Sequence, residues 1–384
     1  MKVKIIKEHV VSGFQKAAHI IPTKTGAAFL RTIWINAKND QLTIMSTDSN
    51  LEFSGTYPAT VEQEGLVGVQ GRKFFDLFRK LPPGEITLSF ENEQQSLLLE
   101  QGKRKFRLPT NDSSWFQNFA PFPESNAVLW SGEYLQDIIE RIAYCVGDED
   151  EMEGLNCMMI KPQTESGDIA VCGLNNHQFA LQKLNNPDIS ALLDPEGILI
   201  AKRYLLELKK WLTNEEIYFS IDKRRLFFSN EDKSEVFSLP LSYYEFPNYE
   251  SFFETFEGQT TLMQVGKEEL IDSLDRISIF NTENQRCCYF VFDEQELVLY
   301  SQGQETGEAT ESLPINIQGE MSQIAFPTKN LIDILNHFHS SRLSFYLTTE
   351  DGPCKITGED DPEYIVLIMP ILISEETYYT EETV

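Results

Sequence analysis

One stretch of this chain, Gly71 to Phe90 (GRKFFDLFRKLPPGEITLSF), occurs three times, and that repetition narrows the available folds more than any other property of the sequence. In the first copy Phe74, Phe75, Phe78 and Leu81 recur at helical spacing while Arg72, Lys73, Asp76, Arg79 and Lys80 occupy the opposite face, which predicts an amphipathic helix. A Pro-Pro-Gly break follows. Ile86, Leu88 and Phe90 then alternate with Thr87 and Ser89, as in a half-buried strand. The second copy starts at Lys202 and the third at Lys329. Asp76, Glu207 and Asp333 fall at one position and Ile86, Ile217 and Leu343 at another, with the same separations of 131 and 126 residues. A chain of 384 residues is thus three units, too few and too long for a solenoid. The expectation is an α+β protein of three similar domains, 1–125, 126–257 and 258–384.

Each unit opens with a helix of its own. The strand Lys2 to Ile6 leads into a helix from Glu8 to Ile21, whose counterparts start at Glu133 and Glu268. When Val10, Leu135 and Leu270 are aligned, Lys16, Arg141 and Arg276 coincide. One cation at one position in every unit points to a shared face; unrelated surface charges are the alternative. Strands are expected between the two helices of each unit, at Phe29 to Ala37, Leu42 to Ser46, Cys157 to Pro162, Ile169 to Cys172, Tyr289 to Phe292 and Leu297 to Ser301. Another follows the second helix at Arg104 to Leu108, where Lys103, Lys105 and Arg107 alternate with Arg104, Phe106 and Leu108. That pattern fits either a sheet edge completed by another subunit or an edge protected by its own lysines.

Charge is distributed unevenly. The chain carries −28 overall, but residues 1–125 sum to +2, residues 126–257 to −13 and residues 258–384 to −17. The first unit is therefore electrostatically complementary to the third. The six cysteines show no CxxC or His-paired spacing, which argues against a metal site and for reduced core thiols. The N-terminus has no signal-like pattern, and the longest apolar run, Ile365 to Ile373, is too short to span a bilayer. A cytoplasmic protein is expected.

The whole-chain pattern resembles the bacterial β sliding clamps, the processivity subunits of DNA polymerase III. The residues that carry the likeness are GRKFFDLFRKLPPG, NNHQFAL at Asn175, YYEFPNY at Tyr243 and IVLIMPI ending at Ile371. The resemblance implies a head-to-tail homodimer of six domains in a ring that encircles duplex DNA and tethers the replicative polymerase, the clamp loader and other proteins. It implies no catalytic residue, no cofactor and no metal. Lys16, Arg141 and Arg276 on the first helices, and Arg72, Lys73, Arg79, Lys80, Lys202, Arg203, Lys209, Lys210 and Lys329 on the second, are the cations it would turn toward DNA, with Lys24 in the loop after the first helix. An acidic ring that slides needs scattered phosphate contacts and no base reading. The subunit contact would set Phe106 and Leu108 against Ile279 and Phe280, flanked by Lys73, Lys103 and Lys105 facing Glu305 and Glu308. A partner peptide would enter a pocket walled by Leu155, Leu174, Asn176, His177, Phe179, Pro247, Phe252, Met369, Pro370 and Ile371. Leu174, Asn176 and Leu372 depart from the family pattern there, and an acidic extension, 374–384, runs past the usual end.

Two other classes stay open on the residues alone. The run Asp148, Glu149, Asp150, Glu151, Glu153 could hold a divalent cation, and Asp48 with Glu52 could form an acid/base pair, which together would suit a carboxylate-dependent hydrolase. An acidic scaffold that never meets DNA is the third reading.

Overall fold

The computed structural model describes residues 1–22, 27–163, 167–282, 286–293, 295–303 and 307–372. The chain forms two compact units. The first comprises Met1–Ile139, Ala191–Leu193 and Ile200–Tyr243; the second comprises Glu140–Ser190, Asp194–Leu199 and the chain from Tyr244 onward. The middle repeat is thus shared between them.

Seven helices occur among the described residues: α1 (Lys7–Ile20), α2 (Gly71–Arg79), α3 (Gly132–Ala143), α4 (Pro187–Ser190), α5 (Lys202–Trp211), α6 (Lys267–Ser278) and α7 (Thr328–Asn336). All but the single-turn α4 stand where the repeat predicts them. None is long and apolar enough to cross a membrane. The apolar stripe of α2 is real: Phe74 and Phe78 are fully buried, and the Phe14 ring of α1 lies 4.8 Å from each. Truncating one such ring typically costs about 3–5 kcal/mol.

The repeat extends to individual hydrogen bonds. The first amide of each opening helix donates to a carbonyl beyond the second helix: Lys7 to Gly84 at 3.1 Å, Gly132 to Glu215 at 3.0 Å and Lys267 to Ser341 at 2.9 Å. Lys7 and Lys267 also reach with their Nζ to the carbonyls of Arg79 and Phe338, both at 3.0 Å, capping the end of the companion helix. The middle repeat has glycine at this point because a Cβ on Gly132 would lie 2.5 Å from the carbonyl oxygens of Thr213 and Glu215.

Antiparallel pairing joins neighbouring repeats edge to edge. In the first unit a thirteen-stranded sheet is continuous because Glu235–Pro240, the last strand of the middle repeat, pairs with Glu52–Pro58 of the first, from Glu235↔Gly55 to Ser238↔Glu52. In the second unit Tyr364–Ile368, the last strand of the third repeat, pairs with Gln178–Asn185 of the middle one, from Gln178↔Ile368 to Gln182↔Tyr364. A separate four-stranded sheet runs in the order Gly307–Pro314, Glu296–Gly303, Cys287–Asp293, Gln323–Pro327.

One boundary differs from expectation. The strand expected from Phe29 begins at Thr32, because Ala28–Arg31 winds into a 3-10 turn held by Thr32 Oγ1 donating to the Ala28 carbonyl at 2.9 Å. All six cysteines are free and buried, and burial pushes the Cys288 thiol up to about 12.

Candidate nucleic-acid interface and peptide pocket

Helices α1, α2 and α5 pack together in the first unit, and their polar faces concentrate cations. Arg72, Lys73, Arg79 and Lys80 of α2 and its C-terminal end are exposed, as are Arg203 and Lys210 of α5; Lys202 and Lys209 are half-buried. Arg79 holds Asp76 at 3.0 Å and Lys210 holds Glu207 at 2.7 Å on their own helices, contacts of the exposed kind that water weakens. Convergence of the three helices shows at His19, which the sequence reading overlooked. Desolvation of its ring, then the positive field of Lys210, and also Arg72 against the opposing Glu207, hold its pKa below the usual histidine value. Lys329 of α7 is exposed in the second unit, while His337, just past the same helix, stacks on Tyr144 at 4.2 Å. Lys24 lies outside the described residues.

The aligned cations of the opening helices play a different part from the one expected. Lys16 Nζ lies 2.5 Å from Glu235 Oε2, with side chains 20% and 8% exposed. Glu235 also accepts from the Tyr57 hydroxyl at 2.7 Å and from Trp211 Nε1 at 3.1 Å. Arg141 is buried: it donates to Asp361 Oδ1 at 2.9 Å and Gln182 Oε1 at 3.3 Å, contacts His339 Nδ1, and lies 5.0 Å over the Tyr364 ring. Burial alone would raise the Asp361 pKa. The Ser340 hydroxyl and amide, with Arg141, outweigh it and hold the carboxyl below its ordinary value.

Lys16 and Arg141 are therefore corrected from phosphate contacts to structural cations. The acids they hold come from the next repeat, at or just before its last strand, so these pairs lock the sheet-to-sheet joints just described. Arg276, in the repeat with no successor, is exposed and grips Glu311 of its own repeat in bidentate fashion at 2.7 and 2.8 Å.

Two strands with unpaired backbone bear on the expected subunit contact, one of them inside the thirteen-stranded sheet and the other at the end of the four-stranded sheet. Arg104–Asn111 pairs along its length with Ser96–Gln101, but on its other side only Thr110 and Asn111 pair, with Val69 and Gly68. Phe106 and Leu108 are half-buried on it, Lys103 is exposed, and Lys105 holds Glu100 at 2.7 Å. Gly307–Pro314 pairs only with Glu296–Gly303. Near it Ile279 is 73% exposed at the end of α6, Phe280 is half-buried and Glu308 exposed. Glu305 lies outside the described residues.

The second unit contains a cavity of about 410 Å³. Eight of the ten expected residues line it: Leu155, Leu174, Asn176, His177, Phe179, Pro247, Phe252 and Met369. Pro370 and Ile371 do not, because the Ile371 amide donates to the Ala325 carbonyl at 2.8 Å and leads the chain onto the four-stranded sheet. Met152, Thr255 and Pro353 join the wall unforeseen. Phe179 forms the floor, with Tyr249 and Phe252 rings at 5.5 and 5.7 Å. Asn175 Oδ1 shapes the lip by accepting from the His177 and Gln178 amides, each at 2.9 Å. The cavity is apolar with few polar handles, a composition suited to side chains of a peptide.

Three of the carboxylates weighed for catalysis, Asp48, Glu52 and Asp150, have structural partners. Asp48 Oδ1 accepts from the Asn50 and Leu51 amides at 2.8 and 2.7 Å, whereas Glu52 faces Ser238 Oγ at 3.3 Å and Arg225 at 3.7 Å. Asp150 accepts from the Met152 amide at 3.0 Å and Asn176 Nδ2 at 2.9 Å, so it organises a loop.

Two family models match the sequence: the DNA polymerase III beta subunit N-terminal domain over residues 1–120, and its C-terminal domain over residues 257–372. The chain belongs to the DNA polymerase III beta subunit family. It is a sliding clamp. The beta sliding clamp of Haemophilus influenzae is 23% identical over 377 residues, covering 97% of this chain and 100% of that one. Among solved structures, the DNA polymerase sliding clamp of Bacillus subtilis superimposes with a TM-score of 0.89 at 22% identity, covering 97% of this chain and 100% of that one. The Pseudomonas aeruginosa clamp bound to griselimycin gives 0.87 at 21%, with the same coverage. The fold expected from the repeat is the sliding-clamp fold.

Proposed function

We propose that this sliding clamp works as a three-domain subunit, divided at 1–125, 126–257 and 258–384, which closes head to tail with a second copy around duplex DNA. The unpaired strand backbone carries this reading. Inside the chain, the last strand of one repeat twice pairs with a strand of the repeat before it. Among the strands with unpaired backbone are Arg104–Asn111, last in the first repeat and paired on its second side only at Thr110 and Asn111, and Gly307–Pro314, at a sheet end in the third. Each is the half-joint that the other lacks, so two copies complete two further joints under a twofold axis. Phe106 and Leu108 would meet Ile279 and Phe280, with Lys73 and Lys103 toward Glu308, and the +2 and −17 charge totals of the first and third repeats favour that encounter.

DNA passes through without being read. Its backbone carries one charge per roughly 1.7 Å, and a body of net −28 repels it. Enclosure makes affinity unnecessary, and Arg72, Lys73, Arg79, Lys80, Lys202, Arg203, Lys209, Lys210 and Lys329 supply weak contacts that allow sliding. The apolar cavity takes a peptide of the polymerase, the clamp loader or another client, and the chain performs no chemistry itself. It acts in the cytoplasm. The test is retention: clamp loaded on nicked circular DNA should stay through gel filtration and leave once the circle is cut. Equal loss from both forms, or a monomer at all concentrations, refutes the proposal.

A further inference from the structure

We propose that the peptide pocket continues into a second, acidic groove that selects clients carrying a basic residue beside their apolar anchors; this rests on the pocket reading above. A second cavity of about 610 Å³ is lined by Glu153, Gly154, Tyr244, Glu245 and Phe246, and it shares Met152 and Pro247 with the first. The two cavities are therefore neighbours that meet at these two side chains.

Its walls are set by a close backbone approach. A Cβ on Gly154 would sit 2.0 Å from the Glu245 carbonyl oxygen, so the turn Glu153–Asn156 and the segment at Glu245 are held against each other, and each brings an exposed glutamate. Neither carboxylate has a cation partner among the described residues, and no Lys or Arg lines either cavity. Asp150 stands beside them, bonded to Asn176 of the pocket wall, within a run of acids at 148–153.

Like charges held side by side and facing a cleft raise the local potential for a cation. A neutral or acidic flank would leave that repulsion in place, whereas an arginine or lysine removes it while its aliphatic stem packs on Met152 and Pro247. The first cavity takes the apolar anchors and the second takes the cation.

Fluorescence anisotropy on the full chain with two synthetic decapeptides tests this. Both carry a central Leu-Phe pair, flanked on each side by two Arg in one and two Glu in the other. The Arg peptide should bind about tenfold more tightly at low salt, with the gap narrowing as salt rises. In E153Q/E245Q the gap should fall to about twofold or less by the same screening logic. Equal affinities, or preference for the Glu peptide, with both weakened by Phe252→Ala, overturn the acidic-groove inference and leave the pocket standing. Failure of both peptides to bind, or binding indifferent to Phe252→Ala, overturns the pocket reading and this inference with it.

Discussion

Replacing Glu235 by leucine asks whether the cation shared by the opening helices holds the chain together or waits for phosphate. The side chain is 8% exposed and accepts from Lys16, Tyr57 and Trp211 at 2.5, 2.7 and 3.1 Å. Without it, Lys16 is stranded in a joint where 20% of its side chain reaches water, and the Tyr57 hydroxyl and Trp211 indole lose their acceptor. Breaking a buried pair from one side costs about 3–5 kcal/mol, and partial access of Lys16 to solvent places E235L near the low end, about 3 kcal/mol. The double variant K16M/E235L strands neither charge, and such replacements are often neutral, so the pair should show a coupling of about 3 kcal/mol or more in a double-mutant cycle. Urea unfolding followed by tryptophan fluorescence reads it, because Trp211 is 4% exposed and bonded to the same carboxylate. The companion measurement is the salt dependence of DNA binding, which K16M should leave unchanged. Additive effects in the cycle, or a salt slope reduced by about 0.9 as for one lost phosphate contact, would refute the structural assignment.

Removing an exposed cation should do the reverse: Lys80→Ala should lower the salt slope by about 0.9 or less and leave the urea midpoint in place, as titration of binding against salt and urea unfolding will show. Ile279→Asp places a charge at the proposed subunit contact and should yield monomers by light scattering while the helical circular dichroism signal stays intact. Because the folded-state pKa of Asp361 is lowered, its contribution to stability is present above the ordinary carboxylate range and disappears as pH falls through the depressed value. D361N should therefore be less stable at neutral pH and show a flatter acid limb in pH-dependent unfolding; an acid limb identical to wild type contradicts this.

Helices and strands were readable because their signals are local. Phe74 and Phe78 announce a buried face within a single turn, and the Pro-Pro-Gly break marks its end. The shared position of Lys16, Arg141 and Arg276 was equally visible, but its meaning was hidden. Glu235 lies 219 residues from Lys16 and Asp361 lies 220 from Arg141, brought there by strand pairing between repeats that no local pattern announces. For the same reason Thr255 and Pro353 could not be placed on the pocket wall, while Phe179 and Phe252 could. Pro370 and Ile371 went astray through one backbone bond to Ala325. His19 carries no motif at all; only the convergence of α1, α2 and α5 brings Lys210 and Arg72 close to its ring.

The joints between repeats are unequal. Glu235 opens the last strand of the middle repeat and meets Lys16, whereas the residue opening the last strand of the first repeat is Arg104, which repels a cation. Arg276, at the matching place in the third repeat, is left holding Glu311 of its own repeat. In the closed ring proposed above, the joints within each subunit would be welds and those between subunits latches, so a machine that must pass DNA through the wall would find the parting line already written in the choice of arginine at position 104.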